Sequence, residues 1–379
     1  MKPWVVALGL YRSSGGPAKT IDSFRKALDD APMLNFVDPL VAEREESAME
    51  GATIIQASSL PGFRQFCYPS PKQRVRIEKE LKIAPLISCH SFYRYHNLWT
   101  LRMRHRYGVP YWFVPHGGLD PYVMQSDTIA KRAFLAAGGK KFLDDASCIV
   151  FSTEAEWRKA ETTFGPLQGE VVPWPVEIPK LADPVETRHR IRRSLGIPPG
   201  AVVVLYFGRL HSMKQPLETI SLVHSLKRDD VHLLMVGPDG DLLLKDCNNL
   251  ARKLGFGNLH VTGPLFGHNK LNHILAADFY ISLSYRENFN HSAAECLALG
   301  IPVLLSSGND LGEFIQESAS GKWIQDDSPS MFDALVEFCD MSPQERVKMG
   351  ENGKLMVEAE FSFSRFKKTI QSLVKRYGK

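Results

Sequence analysis

Short apolar, β-branched runs alternate with helix-patterned runs from one end of this chain to the other. In the second half the apolar runs are Val202–Phe207, His232–Val236, Leu259–Val261, Asp278–Leu283 and Pro302–Leu305. Helical patterns lie between them at Pro216–Leu226, Leu242–Leu254, Asn269–Ala276 and Ser292–Leu299. The first half keeps the same rhythm. Its apolar runs are Val5–Leu10, Thr53–Gln56, Leu86–Cys89, Tyr111–Val114, Ser147–Phe151 and Glu170–Val172, and its helical patterns are Ala18–Leu28, Arg94–Tyr107, Ile129–Phe142 and Glu154–Thr163. Such alternation predicts an α/β protein with parallel sheets covered by helices on both faces. No internal repeat is present.

A chain of 379 residues is too long for one ordinary domain and fits two. The stretch Pro173 to Pro184 holds four prolines in twelve residues and reads as a stiff, extended connector. It divides the chain into domains 1–180 and 181–361. Two Rossmann-like domains joined this way leave a cleft between the carboxyl ends of two parallel sheets, and ligands bind in such crevices. With 44% hydrophobic and 23% charged residues the composition is that of a globular protein. No apolar run approaches the ~18 residues of a membrane span. The N-terminal run ends in Tyr11-Arg12-Ser13-Ser14-Gly15-Gly16, which is unlike a signal cleavage site. The expected location is therefore the cytoplasm. Six scattered cysteines with no C-x-x-C spacing read as buried small hydrophobes, with neither metal nor redox role. A net charge of +4 points to no nucleic-acid partner.

The run Ser284 to Val303 places Glu287 and Glu295 eight positions apart. Glu287 follows an apolar strand-like run, and Glu295 sits in a helical run that stops at Gly300. A strand feeding a loop and then a helix is where α/β proteins hold phosphates and sugars. Asn290 or Ser292 suits the N-cap of that helix. The run resembles the Glu-x7-Glu signature of family-4 glycosyltransferases, whose members often begin it Glu-Asn-Phe, as Glu287-Asn288-Phe289 does here. The resemblance implies a GT-B fold and a retaining transferase that takes its sugar from a nucleoside diphosphate. In that family the second glutamate accepts from the ribose and the first contacts the transferred sugar. These roles fall to Glu295 and Glu287, with Asn288, Phe289, Asn290, His291 and Ser292 in the phosphate loop between them.

Other segments carry the same resemblance. Phe207-Gly208-Arg209-Leu210 through Lys214 is similar to the family's Gly-Arg-Leu…Lys segment. Arg209 and Lys214 offer a fork and a point charge to a departing diphosphate. Val114-Pro115-His116-Gly117-Gly118-Leu119-Asp120-Pro121 resembles a turn from which His116 faces the sugar. Ser13 to Thr20 is not a Walker A loop, since Ala18 stands where glycine must precede Lys19; it resembles the family's loop around Gly15 and Gly16, which approaches phosphate and acceptor. Gly263-Pro264-Leu265-Phe266-Gly267 resembles the loop that cradles the base. Asp239-Gly240-Asp241 spells a metal-binding Asp-x-Asp but follows a strand, where it reads as a turn with a helix cap. No metal or other cofactor is therefore expected.

The likeness spans residues 13 to 323 and departs from the family at three places. Asn290 stands where glycine is usual, Pro173-Trp174-Pro175 replaces a Pro-Asn-Gly turn, and Asn309 to Glu313 is only a loose match. Ala31 to Gln73 matches no known pattern. The C-terminal basic helix, residues 362–379, is expected to return to the first domain. The implied donor is a UDP or GDP sugar. The implied acceptor is a glycan or lipid-linked hydroxyl in polysaccharide, lipopolysaccharide or glycolipid synthesis. Two other readings stay open: a sugar-nucleotide epimerase or hydrolase of the same fold, and a non-catalytic nucleotide-binding member. Arg94, Arg102, Arg104 and Arg106, with His96 and His105, crowd an aromatic stretch. That cluster reads equally as a solvated helix face or as a peripheral contact with anionic membrane.

Overall fold

The computed structural model describes residues 2–8, 16–37, 52–60, 63–125, 128–179, 181, 183–324 and 328–379. Within them the chain forms two compact units, Met1–Pro175 with Phe363–Lys379, and Val176–Ser362.

The first unit is built on an eight-stranded sheet. Its strands are β1 (Trp4–Leu8), β2 (Met33–Val37), β3 (Thr53–Leu60), β4 (Phe63–Pro69), β5 (Ile87–His90), β6 (Tyr111–Val114), β7 (Cys148–Phe151) and β8 (Gly169–Val171), in the order β4-β3-β2-β1-β5-β6-β7-β8. All neighbours pair in parallel except β3 with β4. The helices are α1 (Gly16–Ala27), α2 (Pro71–Leu81), α3 (Tyr95–Tyr107), α4 (Thr128–Phe134), α5 (Lys140–Asp144) and α6 (Glu154–Phe164). Strands β5, β6 and β7 are buried at every position; β6 and β7 read as unbroken apolar runs for that reason, while β5 also carries the buried polar residues Ser88 and His90.

The second unit carries six parallel strands, β9 (Val202–Phe207), β10 (Val231–Val236), β11 (Leu259–Gly263), β12 (Phe279–Ser282), β13 (Val303–Ser306) and β14 (Gly321–Ile324). Their order is β11-β10-β9-β12-β13-β14, so the direction of winding reverses between β9 and β12. Its helices are α7 (Pro184–Ser194), α8 (Pro216–Ser225), α9 (Leu244–Leu254), α10 (Gly267–Leu275), α11 (His291–Ala298), α12 (Gly312–Ser318), α13 (Ser328–Asp340) and α14 (Pro343–Glu360). At the amino end of β12, Asp278 accepts from Arg188 and Arg192 at 2.6 Å each and from the Val203 N–H at 2.7 Å, tying α7 to the sheet.

The last helix, α15 (Phe363–Tyr377), joins the first unit. Phe366 meets Phe24 of α1 edge-on at 5.1 Å, and the Lys379 N–H donates to the Pro85 carbonyl at 3.0 Å. In the proline-rich stretch, Trp174 is buried against Phe24, so this part of the stretch is anchored in a core.

Two sequence expectations differ from the structure. The helix expected over Ile129–Phe142 is broken into α4, a π-helical turn at Leu135–Gly139 and α5. Gly138 takes φ 131° there, and a Cβ on Gly139 would lie 2.5 Å from the Phe134 ring. The unmatched stretch Ala31 to Gln73 contributes β2, a longer β3, β4 and the start of α2. β2 is short and carries a fully buried Asn35, which interrupts its apolar signal.

Candidate active site

In the second unit the candidate residues gather at the carboxyl ends of β9 and β12, the two strands between which the winding reverses. Leaving β9, the chain passes Gly208 close beside Gly237: a Cβ on Gly237 would sit 1.8 Å from the Gly208 carbonyl oxygen. The Tyr206 hydroxyl then donates to the Arg209 carbonyl at 2.8 Å, and the Arg209 side chain is left exposed. A 3-10 turn at Ser212–Lys214 turns Lys214 back, and its ammonium donates to Glu287. Glu287 itself is held on three sides. Its N–H donates to the Gly308 carbonyl at 2.7 Å, its carbonyl accepts from Asp310 at 2.8 Å, and its carboxylate accepts from the Ser284 hydroxyl at 3.3 Å.

Asn290 caps α11, its side-chain oxygen accepting from the Ala293 N–H at 3.1 Å. It takes φ 27°, a value reached most readily by glycine or asparagine. The asparagine found where glycine is usual therefore supplies both the backbone conformation and the cap. Its amide nitrogen also donates to Asn309 at 2.6 Å. Phe289 is buried with edge-on contacts of 5.1 Å to both Phe361 and His291. The side chains of Phe289 and Asn290 thus shape this loop from within, while Asn288, His291 and Ser292 remain partly exposed.

One turn into α11, Glu295 pairs with Lys270 at 2.7 Å, both side chains being less than one-fifth exposed. Lys270 stands in the first turn of α10, where the helix dipole disfavours a cation, and Glu295 offsets that cost. That misplacement was the one local signal for Lys270, whose role depends on a partner 25 residues away. Just before α10, Phe266 is 79% exposed.

In the first unit, His116 follows β6 in the left-handed region at φ 50°. Its Nε2 lies 2.9 Å from His90 Nδ1, and its ring is 5.7 Å from that of Trp174. Buried Glu156 of α6 fixes the adjoining turn, accepting from the Gly117 N–H at 2.8 Å and from the Ser152 N–H and hydroxyl at 2.8 and 2.6 Å. In the sequence Glu156 is indistinguishable from any first-turn acid, and its contact with the histidine turn is 39 residues distant. Gly16 opens α1, and Gly15 lies outside the described residues.

The Asp-x-Asp carboxylates serve turns: Asp239 accepts from the Leu244 N–H at 2.7 Å and Asp241 from the Ser212 N–H at 2.8 Å. Among the described residues no group of acidic, histidine and cysteine side chains could hold a metal ion. Along α3 the basic residues diverge. His96 is buried, Arg106 pairs with Glu78 at 2.9 Å, His105 pairs with Asp145 at 2.5 Å, and Arg102 is exposed. No helix among the described residues is long and apolar enough to cross a membrane. Five cysteines, Cys89, Cys148, Cys247, Cys296 and Cys339, are buried free thiols.

The chain is similar to known proteins in part of its sequence and in its fold. Residues 187–356 match the family described as glycosyl transferases group 1. A D-inositol 3-phosphate glycosyltransferase of Corynebacterium kroppenstedtii is 30% identical over 172 residues, 43% of this chain and 38% of that protein. A protein of the same description from Nocardioides sp. is 25% identical over 355 residues, 87% of this chain and 75% of that one. Among solved structures, Anabaena HepE in complex with UDP superposes with a TM-score of 0.78 at 14% identity, over 99% of this chain and 100% of that one. The fold is that of the GT-B glycosyltransferases. Through residues 187–356, the chain is similar to the glycosyl transferases group 1 family.

Proposed function

We propose that this protein transfers a sugar from a nucleoside diphosphate sugar to an acceptor hydroxyl with retention of anomeric configuration. The observation that carries the reading is the double ion pair at the winding reversal, where Lys214 holds Glu287 and Lys270 holds Glu295. An incoming diphosphate competes for the two ammonium groups, joined by the exposed fork of Arg209. Release of the lysines frees Glu295 to accept from ribose hydroxyls and Glu287 to accept from the transferred sugar. A hydrogen bond to a carboxylate contributes about 1.5–3 kcal/mol, enough to order a sugar ring. As the bond from the anomeric carbon to the β-phosphate oxygen breaks, Arg209, Lys214 and the amino end of α11 stabilise the charge developing on phosphate. The acceptor oxygen bonds to the anomeric carbon on the same face and its proton passes to the departing phosphate. His116 positions the sugar, and the exposed ring of Phe266 offers the base a stacking face.

Uracil is the favoured base, because the Anabaena relative was solved with UDP and with UDP-glucose. The acceptor is a glycan or lipid-linked hydroxyl, reached by peripheral contact of Arg94, Arg102, Arg104 and Arg106 with an anionic membrane. The test is a thermal-shift screen of UDP, GDP, ADP and dTDP with and without EDTA, followed by UDP release from UDP-sugars. UDP at about 100 times its dissociation constant adds about 2.7 kcal/mol of stability, and the shift survives EDTA. No shift with any nucleotide overturns the assignment of Glu287 and Glu295.

A further inference from the structure

A line of hydrogen bonds runs through the buried interior of the first unit to His116. The indole N–H of Trp112 donates to the Ser88 hydroxyl oxygen. Ser88 Oγ lies 2.9 Å from His90 Nε2, and His90 Nδ1 lies 2.9 Å from His116 Nε2. Trp112, Ser88 and His90 are all fully buried.

The direction of this line is not free. An indole can only donate, so Trp112 occupies a lone pair of Ser88 Oγ. The Ser88 proton then has His90 Nε2 as its one acceptor among the described residues. Were His90 to donate to Ser88 instead, the serine proton would be buried without a partner, which costs about 1–3 kcal/mol. Accepting at Nε2, neutral His90 carries its proton on Nδ1 and donates it to His116 Nε2. The backbone carbonyl of His90 is taken separately by His96 Nε2–H at 2.7 Å, so His96 does not interrupt the line.

We propose that Trp112, Ser88 and His90 are positioning residues that set the tautomer of His116, holding its proton on Nδ1 and its Nε2 as acceptor. The consequence for substrate rests on the placement of His116 beside the transferred sugar. A protonated Nδ1 donates to a lone pair and cannot accept from a hydroxyl. Protonating His116 at Nε2 would set two N–H groups against each other unless His90 and Ser88 both reversed, which the fixed indole donor opposes.

The experiment is two-bond 15N–1H correlation of the histidine rings in the full-length, 15N-histidine-labelled protein, with His90→Gln and His116→Gln variants for assignment. The expected result is Nδ1–H with bare Nε2 for both His90 and His116. A major Nε2–H form of either ring overturns the proposal whatever the activity. Ser88→Ala should leave His90 in mixed tautomers and lower kcat/KM about tenfold, with the nucleotide-induced thermal shift unchanged; Ser88→Thr should restore both. If Ser88→Ala leaves the tautomers of both rings unchanged, the serine does not set them and the proposal fails. The expected tautomers in a protein that turns over no sugar nucleotide would uphold the wiring and overturn the proposed function instead.

Discussion

The two units hold their candidate residues by opposite means. In the first, His116 sits at the end of a neutral line through Ser88 and His90, and its turn is fixed by a buried glutamate that accepts from Gly117 and Ser152. In the second, Glu287 and Glu295 are each held by a lysine. A neutral network in a dry core is rigid, because any rearrangement leaves a donor or acceptor without a partner. An ion pair that keeps some contact with water can exchange its partner for a charged ligand at lower cost. Under the proposed function, rigid geometry suits a group that is to be aimed, and exchangeable charge suits groups that are to receive and release a diphosphate. Not every charge of the second unit is exchangeable: Asp278, clasped by Arg188 and Arg192 away from the candidate site, is a structural pair.

That division can be broken from either side, and the largest effect should come at Asp278. Replacing it by asparagine leaves buried guanidinium groups uncompensated, and urea unfolding should show a loss of about 3–5 kcal/mol. Burial alone would raise this carboxyl, but the charges of Arg188 and Arg192 and the Val203 N–H outweigh it and hold it below its ordinary value. A carboxyl lowered on folding contributes stability that is present above its unfolded pKa of about 3.9 and is lost as pH falls through the folded value. The wild-type protein should therefore lose stability below about pH 4 more steeply than Asp278→Asn does.

A sharper comparison sets Glu287→Gln against Glu156→Gln. Glu287→Gln should lower kcat/KM about 10- to 100-fold, the value of a charged hydrogen bond, with little change in unfolding free energy. Glu156→Gln should do the reverse in kind, costing about 1–3 kcal/mol of stability as an amide NH2 replaces one of the two oxygens that accept from Gly117 and Ser152. Equal stability losses in the two variants would erase the contrast between exchangeable and rigid sites. The smallest effect is expected at Phe266, which is 79% exposed. Phe266→Ala should leave stability within about 0.5 kcal/mol while raising the KM for the sugar nucleotide severalfold. An unchanged KM would remove the aromatic ring from base recognition.

Several elements were legible in the sequence because local chemistry forces them. β5, β6, β7, β10 and β12 are buried on both faces and are mostly apolar, broken only by Ser88 and His90 in β5, His232 in β10 and Ser282 in β12. The loop before α11 was legible because Asn290 is among the few residues that both cap a helix and tolerate its backbone conformation. β2 escaped notice because buried Asn35 interrupts a five-residue run, and the π-helical turn at Leu135–Gly139 lay hidden in a pattern that otherwise continues a helix. Lys270, Glu156 and His90 were missed for a different reason: what makes each of them matter is a partner on another element.

The sequence by itself determined the α/β class and the segments that end strands with glycines, cations and carboxylates, since burial, helix capping and backbone freedom act over a few neighbouring residues. Only the tertiary structure decided which lysine meets which glutamate, which acid holds the histidine turn, and which way protons are arranged along Trp112, Ser88, His90 and His116. Apart from the neighbours Ser88 and His90, those choices depend on distances of a few ångströms between residues 24 to 73 positions apart, and local patterning carries no record of them.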